Sequence, residues 1–161
     1  MQIQLMKQFC GCARYVYNRT LSLEKSLYKK DSKHSFKYTE AANRLPEWKK
    51  KNPFLKECHS QVLQQSLKDL DQAYTNFFRK QANFPRYKKK FQHDSIRFPQ
   101  GVELDEVKQQ IRVPKIGWMG YRKSRDIIGT IKNVTVSRRG DRKSTRLNSS
   151  HYQQSRMPSS A

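Results

Sequence analysis

The hydrophobic pattern of this chain changes period at Asn83-Phe84-Pro85. Upstream, between Ser60 and Lys80, Leu63, Leu67, Leu70, Tyr74 and Phe77 recur in alternating steps of four and three. That spacing places them on one face of a helix. Downstream, short runs rich in β-forming residues show apolar–polar alternation over 95–98, 107–113, 117–121 and 127–137. Gly or Pro at 99, 101, 114, 117, 120 and 129 punctuates them, the grammar of antiparallel strands and turns. The expected class is α+β. It has a helical domain over 1–82, a partial antiparallel β-barrel over 83–140 and a disordered tail over 141–161.

Within the helical part, Met6, Phe9, Ala13, Val16, Tyr17, Leu23 and Leu27 predict a first helix over 3–28, with Gly11 as a point of close packing. The polar run 31–35 reads as a loop. Thr39 is placed to cap a short helix that Leu45-Pro46 interrupts, Pro53 opens a single turn, and Ser60 is the expected N-cap of the long helix. The face of that helix opposite its apolar stripe carries Gln61, Gln64, Gln65 and Lys68. Such a face is either solvated or functional.

Charge narrows the function. The sequence holds 34 Lys+Arg against 13 Asp+Glu, a formal net charge of +21. Self-repulsion on that scale destabilises a compact state, and a phosphate backbone is its commonest compensation. Residues 84–90, FPRYKKK, set Arg86, Lys88, Lys89 and Lys90 beside Phe84 and Tyr87. Cations can sit on phosphates while Tyr87 stacks on a base or packs inward; a solvated loop has the same composition. Arg97 and the trio Arg122, Lys123 and Arg125 adjoin apolar positions in the β region. A strand with one apolar and one basic face would pack inward and meet phosphate outward.

Several classes are disfavoured. No apolar run approaches the roughly 18 residues of a membrane span, and MQIQLMKQF lacks the plan of a signal peptide. Cys10, Cys12 and Cys58 are odd in number, which suggests free thiols in a reducing cytoplasm. Their spacing does not suit a zinc knuckle, so no metal site and no small-molecule substrate are expected here. The last stretch, 141–161, shows no helix or strand period. DRKSTRLNSSH and SRMPSSA are similar to a translated frame of a common sequencing-library adaptor, with Tyr152-Gln153-Gln154 falling on its barcode. We expect this tail to be non-native and disordered. It contributes four basic residues against one acid, so the remainder keeps +18.

The body, about 9–140, resembles the N-terminal part of the OrfB/TnpB family of insertion-sequence proteins. The resemblance rests on Phe9-Cys-Gly-Cys-Ala-Arg14-Tyr-Val-Tyr17-Asn18, on PFLKECHSQVLQQSLKDLDQAYTNFFRK over 53–80, on FPRYKKK with SIRFPQG, and on VPKIGWMGYRKSRDIIGTIKNVTVSR, in that order. It implies part of a transposon-encoded RNA-guided DNA endonuclease. Recognition helices and a wedge-like barrel would hold guide RNA and the DNA motif beside the target. Gln64 matches a family position that contacts that motif, and Ser60 and Gln61 precede it on the same turn. Tyr38 and Gln100 match neighbouring contact positions; Tyr38 is equally a plain core aromatic. Glutamine suits base reading because its amide offers donor and acceptor together to an adenine edge.

Two departures from the family follow. Its leading strand and Tyr-Pro turn do not precede the first helix, so truncation at both ends is expected. Its RuvC-type nuclease domain, with acidic Mg2+ ligands and a four-cysteine Zn2+ insert, would lie beyond Gly140. Asp69, Asp71, Glu103, Asp105 and Asp126 suit a helix face and turns, and none is assigned to catalysis. The fragment is therefore expected to bind guide RNA and DNA without being an enzyme and without a cofactor. An intact small basic RNA-binding protein of ribosomal type is the alternative. A dimeric repressor would need a dimer seam, which the pattern does not provide.

Overall fold

A computed structural model describes the backbone of residues 2–92, 94–138 and 145–149, and the side chains of 2–92 and 94–137. The order is α1 (Gln2–Lys30), α2 (Tyr38–Lys51), α3 (Phe54–Glu57), α4 (Ser60–Phe78), then β1 (Asp94–Phe98), β2 (Glu103–Asp105), β3 (Gln110–Val113), β4 (Gly117–Gly120), β5 (Val134–Arg138) and β6 (Thr145–Ser149). The class is α+β. The chain divides into two compact units, Gln8–Lys90, and Met1–Lys7 with Phe91–Ala161.

In the helical unit, the stripe on α4 is core. Leu63, Leu67 and Leu70 are fully buried and Tyr74 nearly so; burying a leucine side chain is worth about 1.5–3 kcal/mol. Leu70 and Tyr74 pack with Tyr17 and Leu21 of α1, and Phe36 closes the cluster. Ser66 Oγ donates to Ala13 O at 2.7 Å, which satisfies a buried hydroxyl where the two helices meet. On α1 the buried line is Phe9, Cys12, Val16, Tyr17, Thr20, Leu21 and Glu24. Leu23 and Leu27 are only half-buried. The expected stripe drifts off the core there because its true continuation includes a carboxylate. Glu24 Oε1 accepts from Arg44 Nη1 at 2.9 Å and Glu24 Oε2 lies 2.5 Å from His34 Nε2, so the buried acid is partnered on both oxygens.

Local expectations about caps and breaks need correction. Helix α2 begins at Tyr38 with Lys37 at its N-cap and runs through Pro46 without interruption. Pro46 removes one backbone donor, yet Ala41, Leu45 and Trp48 are buried on both sides of it, and their packing holds the helix together. Thr39 is therefore inside α2 and not its cap. Ser60 is likewise the first helical residue of α4, with His59 at the N-cap. A methyl group at Gly11 would meet no atom within 4 Å; it lies off the buried line, so it is not a point of close approach.

The strands form two three-stranded antiparallel sheets, β1-β5-β6 and β2-β3-β4, and among the described residues they do not close into a barrel. Ile96 pairs with Val136 and Phe98 with Val134, and all four are buried. In the other sheet Ile111 pairs with Met119. Strand β1 starts one residue before its sequence run, whereas β3, β4 and β5 are shorter than theirs. Residues 106–109 turn, leaving Val107 95% exposed, and 121–133 contain no strand. Strand β2 was not expected, because Glu103-Leu104-Asp105 has a single apolar residue. Strand β6 departs from the expected disorder of the tail: its ladder with β5 is made of backbone groups, which require no side-chain period. The remainder of 139–161 lies outside the described residues.

Candidate nucleic-acid interface

The FPRYKKK segment has no regular secondary structure, but it is fastened to α1. Asn18 Nδ2 donates to Lys88 O at 2.9 Å, and Lys88 N donates to Asn18 Oδ1 at 2.7 Å. One side-chain amide thus satisfies both backbone polar groups of a residue that has no ladder to join. Pro85 is buried. Phe84 meets Tyr74 and Phe77 edge-on at 5.7 and 5.2 Å between centroids. The segment therefore belongs with the helices, downstream of the change in sequence period.

This anchoring sorts the cations. Lys88 Nζ lies 4.4 Å from the centroid of the Tyr17 ring, so its head is tucked in although much of its stem is exposed. Burial pushes the Lys88 ammonium below its usual range, partly offset by attraction from Asp69; burial, with Asp69 second, also pushes the Tyr17 phenol up. Lys88 is thus committed to α1. Arg86, Lys89 and Lys90 are exposed. Tyr87 is 45% exposed, with Lys25 Nζ 4.4 Å from its ring centroid.

A second group lines α2 and α4. Lys49 Nζ donates to Ser60 Oγ at 2.8 Å, and Lys68 Nζ lies 5.8 Å from the Tyr38 ring centroid. Gln64 is exposed one helical turn from each of Ser60 and Lys68. Tyr38 is half-buried, so it is not a plain core aromatic. Gln61 differs: its Oε1 is buried without a hydrogen-bond partner. Gln65 Nε2 donates to Asp69 Oδ1 at 3.1 Å. Tyr38, Ser60 and Gln64 thus share one rim carrying two lysines, while Gln61 turns its carbonyl inward.

The remaining expected contacts lie in the sheet unit. Arg97 is exposed on β1 and Gln100 is exposed after it. Arg122, Lys123 and Arg125 follow the end of β4 in an irregular segment, which corrects their placement on a strand face. Lys123 Nζ donates to Glu106 Oε2 at 2.9 Å and to Asp126 Oδ1 at 2.7 Å. Its hydrogen bonds to Asp126 and Glu106 hold it above the usual lysine range and pull Asp126 below the usual carboxylate range. Glu103 and Asp105 lie on β2, not in turns. Among the described residues no three His, Cys, Asp or Glu side chains gather as metal ligands would. No described helix is long and apolar enough to cross a membrane.

Some residues of this surface were not expected. Asn18 stands in the first-helix motif, but nothing local to it signals a partner 70 positions away. Arg19 sits in an open cleft between α1 and α2, its guanidinium carbon 5.9 Å from the Tyr15 centroid and 5.3 Å from that of Trp48. An arginine between two aromatics within an otherwise helical pattern carries no signal of its own.

Residues 1–33 match an OrfB-type family model described as a helix-turn-helix domain; here residues 2–30 of that match are a single helix. The chain is 49% identical over 134 residues to InsQ of Escherichia coli strain K12, named provisionally as an RNA-guided DNA endonuclease, covering 82% of this chain and 33% of that protein. It is 42% identical over 81 residues to a similarly named protein of Streptomyces pristinaespiralis, covering 48% of this chain and 20% of that one. The chain spans about a third of the length of the first relative and a fifth of the second. By these matches, and by the motifs in order along it, the chain belongs to the OrfB/TnpB family.

Proposed function

We propose that this chain is the nucleic-acid-binding part of a transposon-type RNA-guided DNA endonuclease, holding guide RNA and the DNA beside the target and making no cut itself. The observation that carries the reading is the Asn18–Lys88 fastening. It fixes the backbone of a basic segment on a helical scaffold while Arg86, Lys89 and Lys90 stay exposed. Rigidly held cations lose less side-chain and loop entropy on meeting phosphate than a free loop would. Relatives named as RNA-guided endonucleases support the partner.

Within this reading the two rims divide the work. Cations on the fastened segment and Arg97 position the strand, and Gln64, flanked by Tyr38 and Ser60, reads a base edge. Gln61, with its Oε1 turned inward, has only its Nε2 left to offer a base. On this reading Mg2+ and Zn2+ would be held by a nuclease region and not by the residues described here. The test is binding of the chain to structured RNA across a salt series. Affinity should fall steeply with salt, by about 0.7–0.9 in log–log slope per phosphate contact; salt-independent binding, or none, would overturn the proposal. Selection from a randomised duplex library should give a short motif preference that Gln64→Ala flattens, by about 1–3 kcal/mol at the contacted base.

A further inference from the structure

Three rings at the C-terminal end of α4 lie nearly parallel. Phe36 and Tyr74 have centroids 5.4 Å apart at 21°, and Tyr74 and Phe78 have centroids 6.4 Å apart at 20°. Phe36 is half-buried and Tyr74 is buried, but Phe78 is 64% exposed. The series therefore begins in the core and ends at solvent. An exposed phenylalanine contributes nothing to folding by being exposed, and a single one needs no explanation. This one is oriented. Phe77 abuts it at 5.3 Å and 62°. The helix stops at Phe78 because Lys80 takes a left-handed conformation (φ 60), with Lys80 N donating to Phe77 O and Gln81 N to Asn76 O, both at 2.9 Å.

The surroundings are cationic. Arg79 and Lys80 follow the ring and are exposed. Lys25 Nζ lies 5.4 Å from the Phe84 centroid and 4.4 Å from that of Tyr87, and Phe84 in turn packs edge-on against Tyr74. Glu24, the carboxylate whose field reaches Tyr74, is buried and partnered by Arg44 and His34. A protein segment covering this patch would have to bring its own acids. A nucleic-acid strand brings phosphates for the cations and π-faces for the ring.

We propose that Phe78 is a base-stacking site: an unpaired base of single-stranded RNA continues the Phe36–Tyr74–Phe78 series, with its phosphates toward Arg79 and Lys80. The site deepens the nucleic-acid reading above and rests on it. RNA is the committed partner because the relatives are named for it.

The experiment uses the whole chain and fluorescence anisotropy with a labelled, unstructured RNA of about a dozen nucleotides, the same sequence as a blunt RNA duplex, and the same sequence as single-stranded DNA. Stacking is worth about a five- to hundredfold change in affinity per base. Phe78→Ala should weaken single-stranded RNA binding by that factor while leaving duplex binding and the salt slope unchanged. Phe78→Tyr should bind like the wild type, and Phe78→Leu, apolar but without a π-face, should bind like Phe78→Ala. A melting curve on each variant confirms folding. Equal binding by wild type and Phe78→Ala overturns the stacking site and leaves the nucleic-acid reading standing; wild type that binds no RNA brings down both. Full binding by Phe78→Leu, or a loss confined to DNA, also overturns the site.

Discussion

Two stretches carry nearly the same string of cations: Arg-Tyr-Lys-Lys-Lys over 86–90 and Arg-Lys-Ser-Arg over 122–125. In the first, an asparagine 70 residues away pins the backbone, one lysine head is folded onto a tyrosine, and the others are exposed. In the second, the lysine is held between two carboxylates. Similar runs of charge in sequence are thus unequal charge presented to a polyanion. What decides is whether acids such as Glu106 and Asp126 fold back onto the run, and that depends on turns and not on composition.

This contrast can be broken most forcefully at Tyr74, which supports Phe84 at the head of the first stretch. Burial, reinforced by Glu24, pushes its phenol up to about 12 from an ordinary 10.0. A raised folded-state value means stability is fully present below pH 10 and is lost as pH climbs toward 12, by about 2–3 kcal/mol. Urea melts of the helical signal across that window should show the loss in wild type, with Tyr74→Phe much flatter. Equal slopes would mean that Tyr74 ionises as freely folded as unfolded.

Asn18→Ala comes next. It removes two hydrogen bonds, for about 1–3 kcal/mol together, and should expose the Lys88 amide to rapid hydrogen exchange. Protection that survives the substitution would show that the stretch is held by Phe84 and Pro85 alone. Replacing Arg86 and Lys89 by alanine should then flatten the salt slope for RNA by about 1.4–1.8. The smallest effect is expected at Lys123, whose replacement by alanine should shift that slope by less than about half of one phosphate contact. A full-unit shift there would mean that Glu106 and Asp126 release it to phosphate, and the distinction between the stretches would collapse.

Legibility followed the range of the interaction. The α4 stripe was plain because Leu63, Leu67, Leu70 and Tyr74 announce themselves by spacing alone. The alternation of Ser95, Ile96, Arg97 and Phe98 was equally readable. Glu24 hid the continuation of the α1 stripe, because a buried acid looks like a surface residue until Arg44 and His34 are seen beside it. Pro46 and Ser60 misled because local propensity yields to packing: a helix with Ala41, Leu45 and Trp48 in the core tolerates a missing donor. On the surface, Gln64 was correctly read as an exposed position on the polar face of α4. The separation of Lys88 from Lys89 depended on Asn18 and Tyr17, and no window of sequence around either lysine contains them.

The Asn18–Lys88 fastening also bears on the order of assembly. Closing a contact across 70 residues costs loop entropy that short-range contacts do not. Its partners exist only once α1 has formed and α4 has brought Phe84 to Tyr74. The segment proposed to meet phosphate would then fold late, grafted onto a finished helical frame. A newly made chain would pass through a stage with native helices and a loose basic strand, and polyanion encountered at that stage could act as a template for the last step of folding.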